Sequence, residues 1–186
     1  VRWPFAGVHS PSMGGFVGMR LAAYHPDRVR SLSLLATAAD PEPPKSARKY
    51  ALMTLGARAV GTRPFLPAVM KIMFGRTFLH DPARAAERAA LEDELANLSR
   101  VALPRTVRGV FTRRGVEHLL PKLRVPTLVL SGEEDVAVIP ARSRATAAAI
   151  PGARFETISR AGHTMTLEQP AAVSAALRGF LEGVRA

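Results

Sequence analysis

The succession of apolar, helix-forming and turn-forming segments predicts an α/β fold: a mostly parallel sheet of about four strands flanked by helices. Short apolar runs alternate with helical segments in the order strand, helix, strand, helical insertion, strand, helix, strand, helix. Proline and glycine mark most of the boundaries between these segments. A polar residue suited to chemistry follows three of the predicted strands, and the carboxyl ends of parallel strands meet at one edge of a sheet.

The first predicted elements follow a short strand that leads to the serine at position 12. Met13–His25 is predicted as a helix, in which Gly14, Gly18 and Ala22 recur at every fourth position. Small residues on one face allow a helix to lie close to a sheet. Arg30–Ala36 follows as a short apolar strand.

A helical insertion is predicted between the second and third strands. The proline-rich stretch at 39–44 marks its beginning, and the segment up to about residue 120 is rich in helix-forming residues. We therefore expect a core segment at residues 1–40, a helical cap at 41–120 and a second core segment at 121–186.

The second core segment continues the alternation. Val125–Ser131 is predicted as a continuous apolar strand, Ile139–Ile150 as a helix with a proline near its start, and Arg154–Ser159 as another strand. Pro170–Val184 is predicted as the closing helix.

The composition is that of a packed globular protein, since 47% of the 186 residues are hydrophobic. No window of about 18 uninterrupted apolar residues is present, so no membrane span is expected. The first residues lack the apolar core of a secretory signal, and cysteine is absent. A cytoplasmic location is the default expectation.

The formal net charge of +11 raises the possibility of a nucleic-acid partner. The chain has four lysines, and its arginines are scattered singly or in pairs such as Arg113 and Arg114. A nucleic-acid site needs a localised basic patch, often with stacking aromatics between the charges. We therefore predict that the charge is spread over helix faces and that nucleic acid is not a partner.

Three residues make a serine nucleophile the leading chemical hypothesis. Ser12 lies in a predicted strand-to-helix turn, Asp135 at the tip of the third strand, and His163 in a glycine-containing turn before a helix. Imidazole can remove the proton of a serine hydroxyl, and a carboxylate fixes the tautomer of the ring. Each residue taken alone also fits a cap or turn role, and Glu133 or Glu134 are alternatives to Asp135.

Other site residues follow from this assignment. The backbone N–H of Met13, directly after the nucleophile, is the candidate oxyanion donor at the start of a helix. Met70, Phe74 and Met165 are candidate substrate-binding residues, because methionine adapts to irregular apolar surfaces. No grouping of His, Asp and Glu has metal-ligand spacing, so we predict neither a metal nor another cofactor.

At three motifs the sequence resembles the α/β-hydrolase superfamily, in particular its cap-containing esterases and enol-lactonases. S-M-G-G-F-V-G-M-R-L-A-A-Y-H resembles the nucleophile elbow and its helix, P-T-L-V-L-S-G-E-E-D the acid loop, and A-G-H-T-M-T-L-E-Q-P the histidine loop. The order serine, aspartate, histidine is also that of this superfamily. The resemblance implies a serine hydrolase that acts on a small ester or lactone, with Ser12, Asp135 and His163 as its triad.

The chain departs from the superfamily pattern at its start. The elbow usually reads G-x-S-x-G, whereas Ser10 stands at the first glycine position and is a weaker nucleophile candidate. The segment V-R-W-P-F-A-G-V-H is a poor match to the usual apolar strand, and the strands and oxyanion loop expected upstream are not in the sequence. The chain therefore resembles a partial fold, truncated before the elbow.

Two expectations follow from that departure. The first strand would become a sheet edge, which predicts self-association as a homo-oligomer through this edge. The alternative to an active esterase is a catalytically weak or inactive hydrolase remnant that acts as a self-associating module.

Overall fold

A computed structural model describes residues 6–185, and the fold below is that of these residues. The predicted order of elements is confirmed. The strands are β1 (Ala6–Pro11), β2 (Val29–Leu35), β3 (Thr127–Gly132) and β4 (Arg154–Ile158). The α-helices are α1 (Met13–Tyr24), α2 (Pro44–Val60), α3 (Leu66–Met73), α4 (Arg76–His80), α5 (Ala85–Ala96), α6 (Ala102–Phe111), α7 (Pro140–Ala148), α8 (Met165–Glu168) and α9 (Pro170–Arg185).

The four strands form one parallel sheet in the order β1-β2-β3-β4. All their carboxyl ends therefore point to the same edge. β1 forms although its sequence is a poor match to an apolar strand, because its backbone pairs in parallel with β2 from Ala6 to Pro11. The rest of the poorly matching segment, residues 1–5, lies outside the described part.

Helices cover both faces of the sheet. On one face, α1 and α7 bury a cluster that includes Phe16, Met19 and Val129. On the other face, α9 packs Val173 and Phe180 against the sheet in a second buried cluster. β3 is buried over its whole length, as expected for a central strand of a parallel sheet covered on both faces.

Helices α2 to α6 lie between β2 and β3, and we call them the helical insertion. The insertion has an apolar cluster of its own around Met70, Phe74 and Phe78, and α2 packs against α6. The division at residues 41–120 remains a proposal. Within residues 6–185 no helix is both long and apolar enough to cross a membrane.

Candidate active site

Ser12 occupies a sharp turn between β1 and α1. Its backbone has φ 47° and ψ −118°, a conformation that residues other than glycine rarely adopt and that costs about 1–3 kcal/mol. The Ser12 N–H donates to the carbonyl of Leu35 at 2.8 Å, which ties the turn to the end of β2. The strained turn is thus held by the neighbouring strand.

The first turn of α1 packs closely on the loop after β2. A Cβ atom on Gly15 would lie 2.5–2.7 Å from the side chain of Thr37, closer than real Cβ contacts. Gly15 is buried and Thr37 is 1% exposed. A residue without a side chain is therefore required here if the helix is to leave the Ser12 turn in this direction.

Asp135 follows β3 and is almost completely buried, at 2% exposure. Its Oδ1 accepts hydrogen bonds from the backbone N–H groups of Ala137 at 2.8 Å and Val138 at 2.9 Å. These two bonds fix the carboxylate and leave its second oxygen free for another partner.

His163 lies between Asp135 and Ser12. Its Nδ1 is 2.9 Å from Asp135 Oδ2, and its Nε2 is 2.9 Å from Ser12 Oγ. Because an ionised carboxylate only accepts, Nδ1 carries the proton and donates to Asp135. Nε2 then accepts the hydrogen bond that the Ser12 hydroxyl donates. The structure thus brings together the three residues that the sequence singled out, from positions up to 151 residues apart.

The two glutamates beside Asp135 have other partners. Glu133 accepts from the backbone N–H of Arg160, and Glu134 accepts from the backbone N–H of Thr77 at 2.7 Å. Asp135 is the carboxylate that contacts the imidazole. The side chain of Ser10, the weaker nucleophile candidate, lies outside the described part of the structure.

The N–H of Met13 stands at the first position of α1. The first N–H groups of an α-helix have no acceptor within the helix and carry the positive end of its dipole. Met13 and Ser12 both line the cavity described next. The position therefore suits a donor to an oxygen atom that develops negative charge beside Ser12.

A cavity of about 540 Å³ opens above Ser12 and His163, and its walls are mainly apolar. The helical insertion supplies much of the wall. The apolar lining from the insertion includes Met53, Phe65, Leu66, Val69, Ile72, Met73, Leu103 and Val107. Such a wall accommodates an apolar group attached to a reacting centre at Ser12.

The three residues predicted to bind substrate do not line this cavity. Met70 and Phe74 are 3% and 5% exposed and pack in the cluster of the insertion, where Phe74 stacks on Phe78. Met165 is 1% exposed and packs in the buried cluster that α9 forms with the sheet. All three side chains are therefore buried in apolar clusters and do not face the cavity. We replace them as candidates with Met53 and Met73, which do line the cavity.

The cavity also contains a buried ion pair that sequence reasoning missed. Arg113 Nη2 lies 3.3 Å from Glu42 Oε2, and the two side chains are 10% and 3% exposed. Burial raises the pKa of Glu42, although Arg142 and Arg113 oppose the shift, and burial lowers the pKa of Arg113, with Glu42 opposing. The two residues are 71 positions apart, so no local pattern could have linked them.

Comparison with known proteins decides the family. A family model described as the alpha/beta hydrolase family matches residues 7–176. The chain belongs to the alpha/beta hydrolase family.

Relatives of this alpha/beta hydrolase cleave esters and lactones. A pimeloyl-[acyl-carrier protein] methyl ester esterase of Neisseria meningitidis is 29% identical over 93% of this chain and 56% of its own length. A thermophilic esterase from Thermogutta terrifontis has a TM-score of 0.85 at 26% identity, over 98% of this chain and 66% of that one. The enol-lactonase from Burkholderia xenovorans LB400 has a TM-score of 0.84 at 28% identity, over 96% and 66%.

The alpha/beta hydrolase described here thus spans between half and two thirds of these relatives. By name, two of these relatives are esterases and the third is an enol-lactonase.

Proposed function

We propose that this chain is a serine hydrolase that cleaves carboxylic esters or lactones through an acyl-enzyme. The observation that carries the proposal is the position of His163, whose two ring nitrogens contact Ser12 and Asp135 at 2.9 Å each. A serine hydroxyl needs such a base, and the imidazole needs such a carboxylate, for covalent catalysis at neutral pH.

In acylation, Ser12 Oγ attacks the carbonyl carbon of the ester while its proton moves to His163 Nε2. The carbonyl π electrons move to the oxygen, which the Met13 N–H stabilises. Asp135 stabilises the imidazolium through the Nδ1–H bond without taking the proton. When the tetrahedral intermediate collapses, the carbon–oxygen bond to the alcohol breaks and Nε2 returns the proton to the leaving alkoxide.

In deacylation, a water molecule takes the place of the alcohol. His163 Nε2 removes a proton from the water as its oxygen attacks the acyl carbon. Collapse then breaks the bond to Ser12 Oγ, which recovers a proton from Nε2, and the acid leaves. A lactone follows the same two steps, except that the alcohol remains part of the product.

Because the cavity is apolar, we expect this chain to prefer esters that have an apolar acyl group. A cavity of about 540 Å³ lies within the size range of small-molecule sites, roughly 300–1,000 Å³. We expect kcat/KM for p-nitrophenyl esters to rise from the acetate to a medium-length alkanoate. Narrowing the cavity by Val69→Trp should reduce the preference for the longer ester and leave acetate turnover nearly unchanged.

The proposal is tested with a fluorophosphonate probe that reacts covalently with activated serines. We expect stoichiometric labelling of the wild type and of Ser10→Ala, and no labelling of Ser12→Ala. A folded Ser12→Ala that is still labelled would assign the nucleophile to another serine. Absence of labelling in a folded wild-type protein would favour the alternative, a hydrolase remnant without activity.

A further inference from the structure

A buried carboxylate outside the Ser12–His163–Asp135 array holds the loop that carries His163. The Glu168 residue is 3% exposed and lies in α8, five positions after His163. Glu168 Oε2 accepts the backbone N–H of Gly162 at 2.9 Å, directly before the histidine. Glu168 Oε1 accepts the hydroxyl of Thr164 at 2.9 Å, directly after it. Both neighbours of His163 are therefore bound to one side chain.

The same carboxylate also contacts the helical insertion. Glu168 Oε2 accepts the backbone N–H of Gly75 at 2.8 Å, at the start of α4. Thr164 also contacts the insertion: its N–H donates to the carbonyl of Met73 at 3.0 Å. Its hydroxyl oxygen lies 3.0 Å from the same carbonyl, which shares the single hydroxyl hydrogen with Glu168 Oε1. The histidine loop is thus bound to residues 73–75 of the insertion on both sides of His163.

Close backbone packing accompanies these hydrogen bonds. A Cβ atom on Gly162 would overlap the backbone of Phe74 and Gly75, and a Cβ atom on Gly75 would lie 2.8 Å from the Gly162 nitrogen. The same atom would lie 2.9 Å from Glu168 Oε2. Two glycines therefore let the insertion and the histidine loop touch through their backbones, with Glu168 binding both N–H groups.

A buried carboxylate that accepts three directed donors is a rigid connection. Burying a charge is unfavourable unless the charge is hydrogen-bonded, and a fully bonded buried network is sensitive to the loss of any member. Within residues 6–185, no cation of Arg, Lys or His lies within ion-pair distance of the Glu168 carboxylate. Hydrogen bonds to neutral groups of the loop and of the insertion are what hold it.

We propose that Glu168 is a positioning residue: it sets the orientation of His163 through Gly162 and Thr164, and it couples that orientation to the seating of the helical insertion through Gly75. This inference rests on the proposed function and deepens it. The His163 ring must keep two 2.9 Å contacts at once, and a small displacement of its loop lengthens both. Misplacement by about 1 Å through a distant substitution can reduce a rate on the order of a hundredfold.

The test is Glu168→Met, which keeps the length of the side chain but removes both acceptor oxygens, so that the N–H groups of Gly162 and Gly75 lose their partner. Glutamine is not used, because its carbonyl oxygen could still accept both N–H groups while its amide donates to the Thr164 hydroxyl. The readout is the rate of fluorophosphonate labelling, measured separately from the labelled fraction, together with kcat and KM for p-nitrophenyl acetate. We expect the labelling rate and kcat to fall by a factor on the order of 10 to 100, with KM changed by less than about twofold. Glu182→Met, at an exposed position of α9, is the matched control and should behave as wild type.

The pH profile distinguishes positioning from general destabilisation. A loosened bond between His163 and Asp135 stabilises the imidazolium less, so the acidic limb of kcat/KM should move to lower pH in Glu168→Met. A merely structural role would reduce only the labelled fraction and leave the rate and the profile unchanged. That result would overturn the proposal.

Two further comparisons keep the inference testable. If Glu168→Met does not fold, Thr164→Val removes one donor to the same carboxylate, and its labelling rate should fall by a smaller factor; an unchanged rate would again refute the idea. Failure of the proposed function itself looks different, because the wild type would then remain unlabelled or Ser12→Ala would be labelled.

Discussion

The buried pair of Glu42 and Arg113 gives a stability prediction that follows from the structure. Arg113→Met removes the guanidinium but keeps an apolar side chain over the ring of Phe16, which the guanidinium now contacts at 4.2 Å from the ring centroid. The carboxylate of Glu42, 3% exposed, would then lose its nearest cation. The variant should be clearly less stable than the wild type.

The magnitude follows from the partners that remain. Removing one member of a buried ion pair costs about 3–5 kcal/mol, because the other charge is left uncompensated. Arg142 Nη1 still lies 3.8 Å from the same oxygen of Glu42, so we expect the lower end of that range. Replacing both members, as in Glu42→Leu with Arg113→Met, should leave stability within about 1 kcal/mol of wild type, because apolar replacement of a buried pair is often neutral.

The assay is urea unfolding of wild type, both single variants and the double variant at neutral pH. The four free energies of unfolding form a double-mutant cycle, provided that the slope of the free energy against urea concentration is the same in all four proteins. A loss below about 1 kcal/mol in Arg113→Met would mean that the carboxylate is solvated or protonated, and the reasoning would fail. A double variant as unstable as the single one would also refute it.

Asp135→Asn should reduce kcat for an ester by a factor on the order of 10⁴ while the protein stays folded, because the amide favours the wrong tautomer of the histidine, and steady-state kinetics with circular dichroism measure both. Gly15→Ala should lower the free energy of unfolding by about 1–3 kcal/mol through overlap with Thr37, whereas Gly179→Ala, where a Cβ meets nothing within 4 Å, should not. The folded-state pKa of Glu42 is raised by burial, so its contribution to stability is present at low pH and lost as pH rises through that value; thermal unfolding of the wild type should show this loss with rising pH, and Glu42→Gln should lack it. β1 stands at the sheet edge of the described residues, so light scattering after size exclusion should detect a dimer or larger species at micromolar concentration, and a monomer would contradict self-association through that edge.

The sequence predicted the fold well because each element carries its own local signal. β3 is a continuous apolar run, and a strand buried on both faces must be one. The helices of the insertion contain strong helix formers. The differences lie at the ends of elements: the strand predicted over Arg30–Ala36 spans Val29–Leu35 and ends where Ala36 turns to φ 48°, and the helix predicted over Met13–His25 ends at Tyr24.

The candidate site could be predicted only in part, for a physical reason. Ser12, Asp135 and His163 each end or follow a strand, so parallel pairing brings them to one edge without further information. Cavity walls follow no such rule. The apolar character of Met70 and Met165 indicates burial, but it does not say whether a side chain faces a neighbouring core or an open cavity.

Two glutamates illustrate the remaining gap between sequence and structure. In the sequence, Glu134 and Glu168 resemble ordinary polar residues of a loop and a short helix. In the structure, Glu134 binds the N–H of Thr77 beside the acid loop, and Glu168 binds the N–H of Gly75 beside the histidine loop. Their partners are distant in the chain and are backbone groups, which no side-chain pattern reveals.

These two connections converge on one short segment of the insertion, the start of α4. The same segment therefore contacts the loop of Asp135 through Glu134 and the loop of His163 through Glu168. The strained Ser12 turn, in contrast, is held from the sheet by Leu35. It follows that the position of the insertion affects the loops of His163 and Asp135. The turn of Ser12 is held by the core instead. A loosened insertion should consequently slow proton transfer at His163 before it disturbs the conformation of Ser12.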